Sequence, residues 1–157
     1  MSENHSRTFI AKSRLLGLFT GILAGVSRGR LPPIPGVAAI VVQDDKLLLV
    51  ERSDGMGFAL PGGVMRWNES IEESVRREAR EETGYNVEVL GPFKNYSGPE
   101  RDGRFSSLCL AYKARVIDGR LTSSGEGIPH WIPLSDVLDL ELAFDVRELV
   151  TDYLSQR

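Results

Sequence analysis

Thiols and imidazoles are nearly missing from this chain. Its 157 residues include one cysteine and two histidines. A single cysteine allows no internal disulfide framework, which suits a reducing cytoplasm. Cys109 stands between Leu108 and Leu110 in an apolar run, the setting of a buried core residue and not of a nucleophile. His5 and His130 are too few and too scattered for a zinc site. His130 precedes Trp131 in a strand-like stretch and reads as structural, with ligand contact as the other reading. A basic excess is missing too. The formal net charge is −3 and no basic stripe exists, which argues against duplex nucleic acid as a partner. There is no internal repeat and no low-complexity tract, and the length supports a single domain with a sizeable core.

Long apolar runs are absent as well. Leu15, Leu16, Leu18, Phe19, Ile22, Leu23 and Val26 form a short apolar segment, with Lys12 and Arg14 before it and Arg28 and Arg30 after it. The layout is that of a signal peptide without a small-x-small cleavage site, and the run is too short to span a bilayer. Leu15, Phe19, Ile22 and Val26 recur at helical spacing, which predicts an amphipathic helix. It would pack on the domain or on a second subunit as a homodimer; peripheral membrane contact through residues 10–30 is the other reading. Arg30 to Gly36, with three prolines, reads as a stiff non-helical connector. The expected division is residues 1–35 for the helix and connector and 36–157 for the main domain.

What the chain has in abundance is acid on one helix. Ile71, Val75 and Ala79 form an apolar stripe when residues are laid out at about 100° each. Glu78 and Glu82 fall on that same inward side and Glu81 flanks them, while Glu73, Arg76, Arg77 and Arg80 face outward. Arg77 is expected to pair with one carboxylate at most and to point away from Glu78 and Glu82. Three carboxylates beside a core stripe repel one another and lose solvation, so a cation is expected between them. Oxygen donors with no thiol or imidazole nearby suit Mg2+ or Mn2+. The alternative is a surface helix covered by a lattice of salt bridges. Ser70 with Glu73 forms a capping box, and Gly84 is placed to end the helix in the left-handed region.

Gly63, five residues, Glu69, seven residues, Arg77-Glu78, then Glu81-Glu82 and Gly84 together reproduce the Nudix box, G-x5-E-x7-R-E-U-x-E-E-x-G-U, with U a bulky aliphatic residue. Every glycine and charged position matches. Ala79 is small at the first U, Tyr85 is aromatic at the last, and Asn68 replaces a frequent glycine with a residue that tolerates a left-handed backbone. The chain therefore resembles Nudix hydrolases, which cleave a nucleoside diphosphate linked to a moiety X into a nucleoside monophosphate and phosphoryl-X. The resemblance implies metal ligation by Glu78, Glu81, Glu82 and the Gly63 carbonyl, and catalytic roles for Glu78 and Glu81. It implies a Gly62-Gly63 turn that lets diphosphate approach, and structural roles for Glu69, Arg77 and Gly84. Glu69 is the expected partner of Arg77. Glu126, in Ser123-Ser124-Gly125-Glu126-Gly127, is the loop candidate for the catalytic base; the other reading is an exposed glutamate without a role.

The rest of the chain predicts an α/β Nudix fold, a mixed sheet sandwiched between helices, with an extra N-terminal helix. Val37–Gln43 and Lys46–Arg52 read as a hairpin around Asp44-Asp45. Val87–Tyr96, Ser106–Ile117 and Ile128–Ile132 read as strands, Ser135 or Asp136 as the cap of a short helix, and Phe144–Ser155 as a C-terminal helix. Arg52 could bind phosphate or be a plain surface arginine. Phe58 reads as core. Tyr96-Ser97-Gly98-Pro99-Glu100 loosely resembles a segment of Nudix ADP-ribose pyrophosphatases. ADP-ribose and sugar nucleotides are the expected substrates, with nucleoside triphosphates as the alternative. A catalytically silent nucleotide sensor or a membrane-associated module is the alternative of another class. The expected enzyme is a cytoplasmic, metal-dependent pyrophosphohydrolase with a small nucleotide substrate.

Overall fold

The computed structural model describes residues 32–98 and 107–157. Among these residues seven strands form one mixed sheet: β1 (Ile34–Gln43), β2 (Lys46–Arg52), β3 (Phe58–Ala59), β4 (Gly62–Val64), β5 (Tyr85–Gly98), β6 (Ser107–Gly119) and β7 (Gly127–Pro133). The order is β3-β2-β1-β6-β5, with β4 paired to β1 and β7 to β2. β1 and β6 run parallel and the other pairs antiparallel. Helix α1 (Ile71–Thr83) covers one face and α2 (Val146–Ser155) the other.

Alternation along the strands builds two cores. Val37, Ala39, Val41 and Leu48 pack with Val75 and Ala79 of α1. Ala38, Ile40, Leu47 and Leu49 pack with Val146, Leu149 and Val150 of α2. Phe58 packs against the second core, as expected, whereas Cys109 is only half-buried beside it. Tyr96 is buried in that core and its hydroxyl donates to Asp152 at 2.8 Å, which ties β5 to α2.

The hairpin forms at Asp44-Asp45, both at positive φ, but β1 starts at Ile34 and not at Val37. The connector's last residues are thus strand, because Ile34, Pro35 and Gly36 lie in register with Ser107, Leu108 and Cys109 of β6. β1 meets β2 only near the turn, at Val42↔Leu47 and Gln43↔Lys46. Its earlier half pairs instead with β4, at Gly36↔Val64, Val37↔Gly63 and Ala38↔Gly62. Gly62-Gly63 is accordingly a short strand and not a tight turn, and it runs beside α1. The short C-terminal element is a single 3-10 turn, Val137–Asp139, without a side-chain cap. α2 starts at Val146 and not at Phe144, which has a φ of 53° and so cannot begin a helix. The N-terminal amphipathic helix, like Pro99 and Glu100, lies outside the described residues.

Candidate active site

Helix α1 is set by its ends. The Ser70 hydroxyl accepts from the Glu73 N–H at 3.2 Å and the Glu73 carboxylate accepts from the Ser70 N–H at 2.8 Å, a complete capping box. Such a cap contributes about 0.5–2 kcal/mol. Gly84 closes the helix at φ 80°, where its N–H reaches the Arg80 carbonyl. Asn68 takes the left-handed backbone expected of it, with φ 67°. With both ends fixed, the helix phase is fixed, and Glu78 and Glu82 point inward, each 7% exposed.

Burial, above all, pushes the Glu82 carboxyl well above the usual carboxylate range; Glu126 and Glu78 add to this by repulsion, while the Gly62 N–H, donating at 3.0 Å, opposes it. Burial likewise raises Glu78, with Arg77 opposing and Glu126 and Glu81 adding. Glu126, which lies far from the box in sequence, therefore stands against both buried box carboxylates. β4 supplies the space. A Cβ on Gly63 would lie 2.6 Å from Glu78 Oε1, so only glycine leaves that carboxylate its position.

Arg77 departs from expectation. It turns inward and its guanidinium forks onto Glu69, at 2.6 Å from Nε and 2.8 Å from Nη2. Its Nη1 also donates to Glu78 at 2.6 Å and to Glu81 at 3.4 Å, and Nη2 to the Val64 carbonyl at 3.3 Å. The helical wheel describes where a Cβ points, whereas a long flexible stem carries the guanidinium back across the helix. The expected Arg77–Glu69 pair is present, and Arg77, with help from the Ser74 hydroxyl at 2.6 Å, holds the Glu69 carboxyl far below its usual range. Glu81 also departs: its side chain is 48% exposed, and Arg66 grips both its oxygens at 3.0 Å.

Arg52 forks onto Asp54 and lies 4.8 Å from the centre of the Phe144 ring. His130 pairs with Glu51 at 3.2 Å and meets the Phe58 ring edge-on, the structural reading of the two. Ser74 and Arg66 were not singled out in the sequence. Ser74 could have been, since it is a fully buried polar residue one turn before Glu78 on the inward side.

Among the described residues, no three His, Cys, Asp or Glu side chains converge in ready metal-ligating geometry. Glu78 is engaged by Arg77 and Glu82 by the Gly62 N–H. The chemistry of the donors nonetheless fits a hard divalent cation. Two buried carboxylates and the adjacent Glu126 oppose one another with only oxygen donors at hand, and a small rotation of Glu78 away from Arg77 would free it.

The NUDIX domain model matches residues 32–153. This chain belongs to the Nudix family. The ADP-ribose pyrophosphatase of Methanocaldococcus jannaschii is 34% identical over 131 residues, 79% of this chain and 75% of that protein. The NUDIX domain of Shewanella oneidensis NrtR, solved with ADP-ribose, is 28% identical with a TM-score of 0.66, covering 82% of this chain and 91% of that one. A bifunctional NMN adenylyltransferase/ADP-ribose pyrophosphatase from Francisella tularensis, solved with AMP and a manganese ion, has a TM-score of 0.72. It covers 96% of this chain and 47% of the other at 19% identity, and so speaks to the fold alone. The chain is thus a Nudix-type pyrophosphohydrolase, and Nudix hydrolases in general use divalent metals. Among the described residues no helix is long and apolar enough to cross a membrane.

Proposed function

We propose that this Nudix enzyme hydrolyses the pyrophosphate bond of ADP-ribose or a closely related sugar nucleotide, with Mg2+ or Mn2+ as cofactor. The observation that carries the reading is the buried, mutually repelling pair Glu78 and Glu82 beside the side-chain-free Gly62-Gly63 strand, with Glu126 set against them. The names of the M. jannaschii relative and of the ligand bound to the S. oneidensis domain support ADP-ribose as the first candidate.

Glu78, Glu81, Glu82 and the Gly63 carbonyl would hold the cation. A divalent ion there supplies positive charge against the diphosphate and acidity to the attacking water. Gly62 and Gly63, without side chains, admit the diphosphate close to the backbone. Glu126 accepts the proton of the attacking water, which suits a carboxylate that approaches the cluster from outside the helix. The Arg77–Glu69 fork holds the loop before α1 in register with it. Arg52 reaches phosphate only by exchanging its bond to Asp54.

The test is Mg2+-dependent hydrolysis across ADP-ribose, sugar nucleotides, canonical and oxidised nucleoside triphosphates and dinucleoside polyphosphates. Preferred turnover of ADP-ribose to AMP and ribose 5-phosphate supports the proposal; preferred turnover of triphosphates replaces it with nucleotide-pool cleansing. No turnover of any, from folded and metal-bound protein, moves the chain to the nucleotide-sensing reading. A cytoplasmic location and a homodimer complete the proposal, with peripheral membrane contact through residues 10–30 as the other reading. Size-exclusion light scattering and liposome sedimentation, with and without the residues before Pro32, test the last two.

A further inference from the structure

Glu126 reaches the acidic cluster from a loop, and β2 builds that loop from one side. Ser53, directly after β2, donates its backbone N–H to the Glu126 carbonyl at 2.9 Å and its hydroxyl to the Gly125 carbonyl at 3.2 Å. The loop also closes on itself: the Ser124 N–H donates to the Gly127 carbonyl at 3.0 Å, and the Glu126 N–H donates to the Ser124 hydroxyl at 3.2 Å. Gly127 is buried opposite Arg52 in the β2–β7 ladder. A Cβ on Gly127 would lie 2.3 Å from the Glu51 carbonyl oxygen and 2.6 Å from Val50 Cγ1. The first contact is with backbone that is itself held in the sheet, so neither side can yield cheaply.

We propose that Gly127 and Ser53 are positioning residues for Glu126: the missing side chain of Gly127 seats the loop directly on β2, and the two hydrogen bonds from Ser53 aim the Glu126 carboxylate at Glu78 and Glu82. This rests on Glu126 as proton acceptor in the function proposed above. A methyl group at Gly127 forces β7 outward by roughly 1 Å, and a misplacement of that size at a reacting group costs on the order of 100-fold in rate. The box and its helix, on the far side of the cluster, keep their own hydrogen bonds, so substrate affinity is left largely as it was.

The experiment is a double-mutant cycle of Gly127→Ala with Glu126→Gln, with Ser53→Ala and Ser53→Thr beside it. It is read in kcat and KM on the best substrate of the panel and, without any substrate, in the apparent Mn2+ affinity of the full chain by calorimetry. Gly127→Ala is expected to lower kcat by about 10–100-fold with KM held within about twofold. The double variant should be no slower than Glu126→Gln alone, and the Mn2+ affinities should follow the same pattern. Ser53→Ala should give a smaller kcat loss that Ser53→Thr restores. Losses that multiply in the double variant, or a Gly127→Ala enzyme at the wild-type rate, would overturn the positioning role and leave Glu126 as acceptor intact. A Glu126→Gln enzyme at the wild-type rate and Mn2+ affinity would overturn both.

Discussion

Glu82→Gln should make the metal-free protein more stable and the enzyme inactive. Glu82 is buried, and the backbone N–H of Gly62 opposes the repulsion of Glu78 and Glu126. Glutamine keeps an oxygen for that N–H and removes the charge. Each unit by which the site raises the Glu82 pKa costs the folded state about 1.4 kcal/mol once the group is ionised. The sign follows from the direction of the shift. The folded pKa lies above the unfolded one, so the penalty is absent below the unfolded value of about 4.3, grows as pH rises through the gap, and is complete above the folded pKa. In EDTA, the melting temperature of Glu82→Gln should therefore match wild type near pH 4 and exceed it at pH 8. For a domain of this size the gain is roughly 2–4 °C per kcal/mol. Added Mg2+ should reverse the order, because a ligand that binds only the folded state stabilises the wild type in proportion to RT ln(1 + [L]/Kd), and the variant lacks a ligand carboxylate. Scanning calorimetry at both pH values, with EDTA and with Mg2+, and turnover on the same samples, form the assay. A variant that melts below wild type in EDTA at pH 8, or that gains from Mg2+ as wild type does, refutes the reasoning.

Two further substitutions test the frame around the cluster. Arg77→Ala strands the half-buried Glu69 and the buried Glu78 and should cost about 1–3 kcal/mol in urea unfolding, with loss of activity; Arg77→Lys should restore little, because an ammonium cannot reproduce the fork onto Glu69. Equal activity in both variants and wild type would show that the loop holds its register without this pair. Gly63→Ala puts a methyl against the Glu78 carboxylate. It should weaken Mn2+ binding and lower turnover by an order of magnitude or more while circular dichroism is unchanged, the reverse of what a simple turn glycine would give.

How much of this was legible in the sequence varied with the range of the interaction. The capping box, the Gly84 stop, the left-handed Asn68 and the inward phase of Glu78 and Glu82 all came out as read, since each depends on residues within a few positions of one another. The hairpin at Asp44-Asp45 and the strands of β5 to β7 were read to within a few residues for the same reason. The inward turn of Arg77 onto Glu78 and the exposure of Glu81 were not legible. A helical wheel ends at the Cβ, and the partners of Arg77 and Glu81 are decided by long stems meeting a neighbouring loop.

The sequence alone determined the family, the helix phase and the kind of donor atom available, because the spacing of one box encodes them locally. Only the tertiary structure decided that Gly62-Gly63 would be a strand slotted between β1 and α1, since pairing with β1 is a matter of register between distant segments. It alone brought Glu126 to the cluster, through the β2–β7 ladder and the close contact of Gly127 with β2. And it alone left Glu81 in water, held by Arg66, while its neighbours Glu78 and Glu82 are buried, because desolvation depends on what packs against each group and not only on its place along the helix.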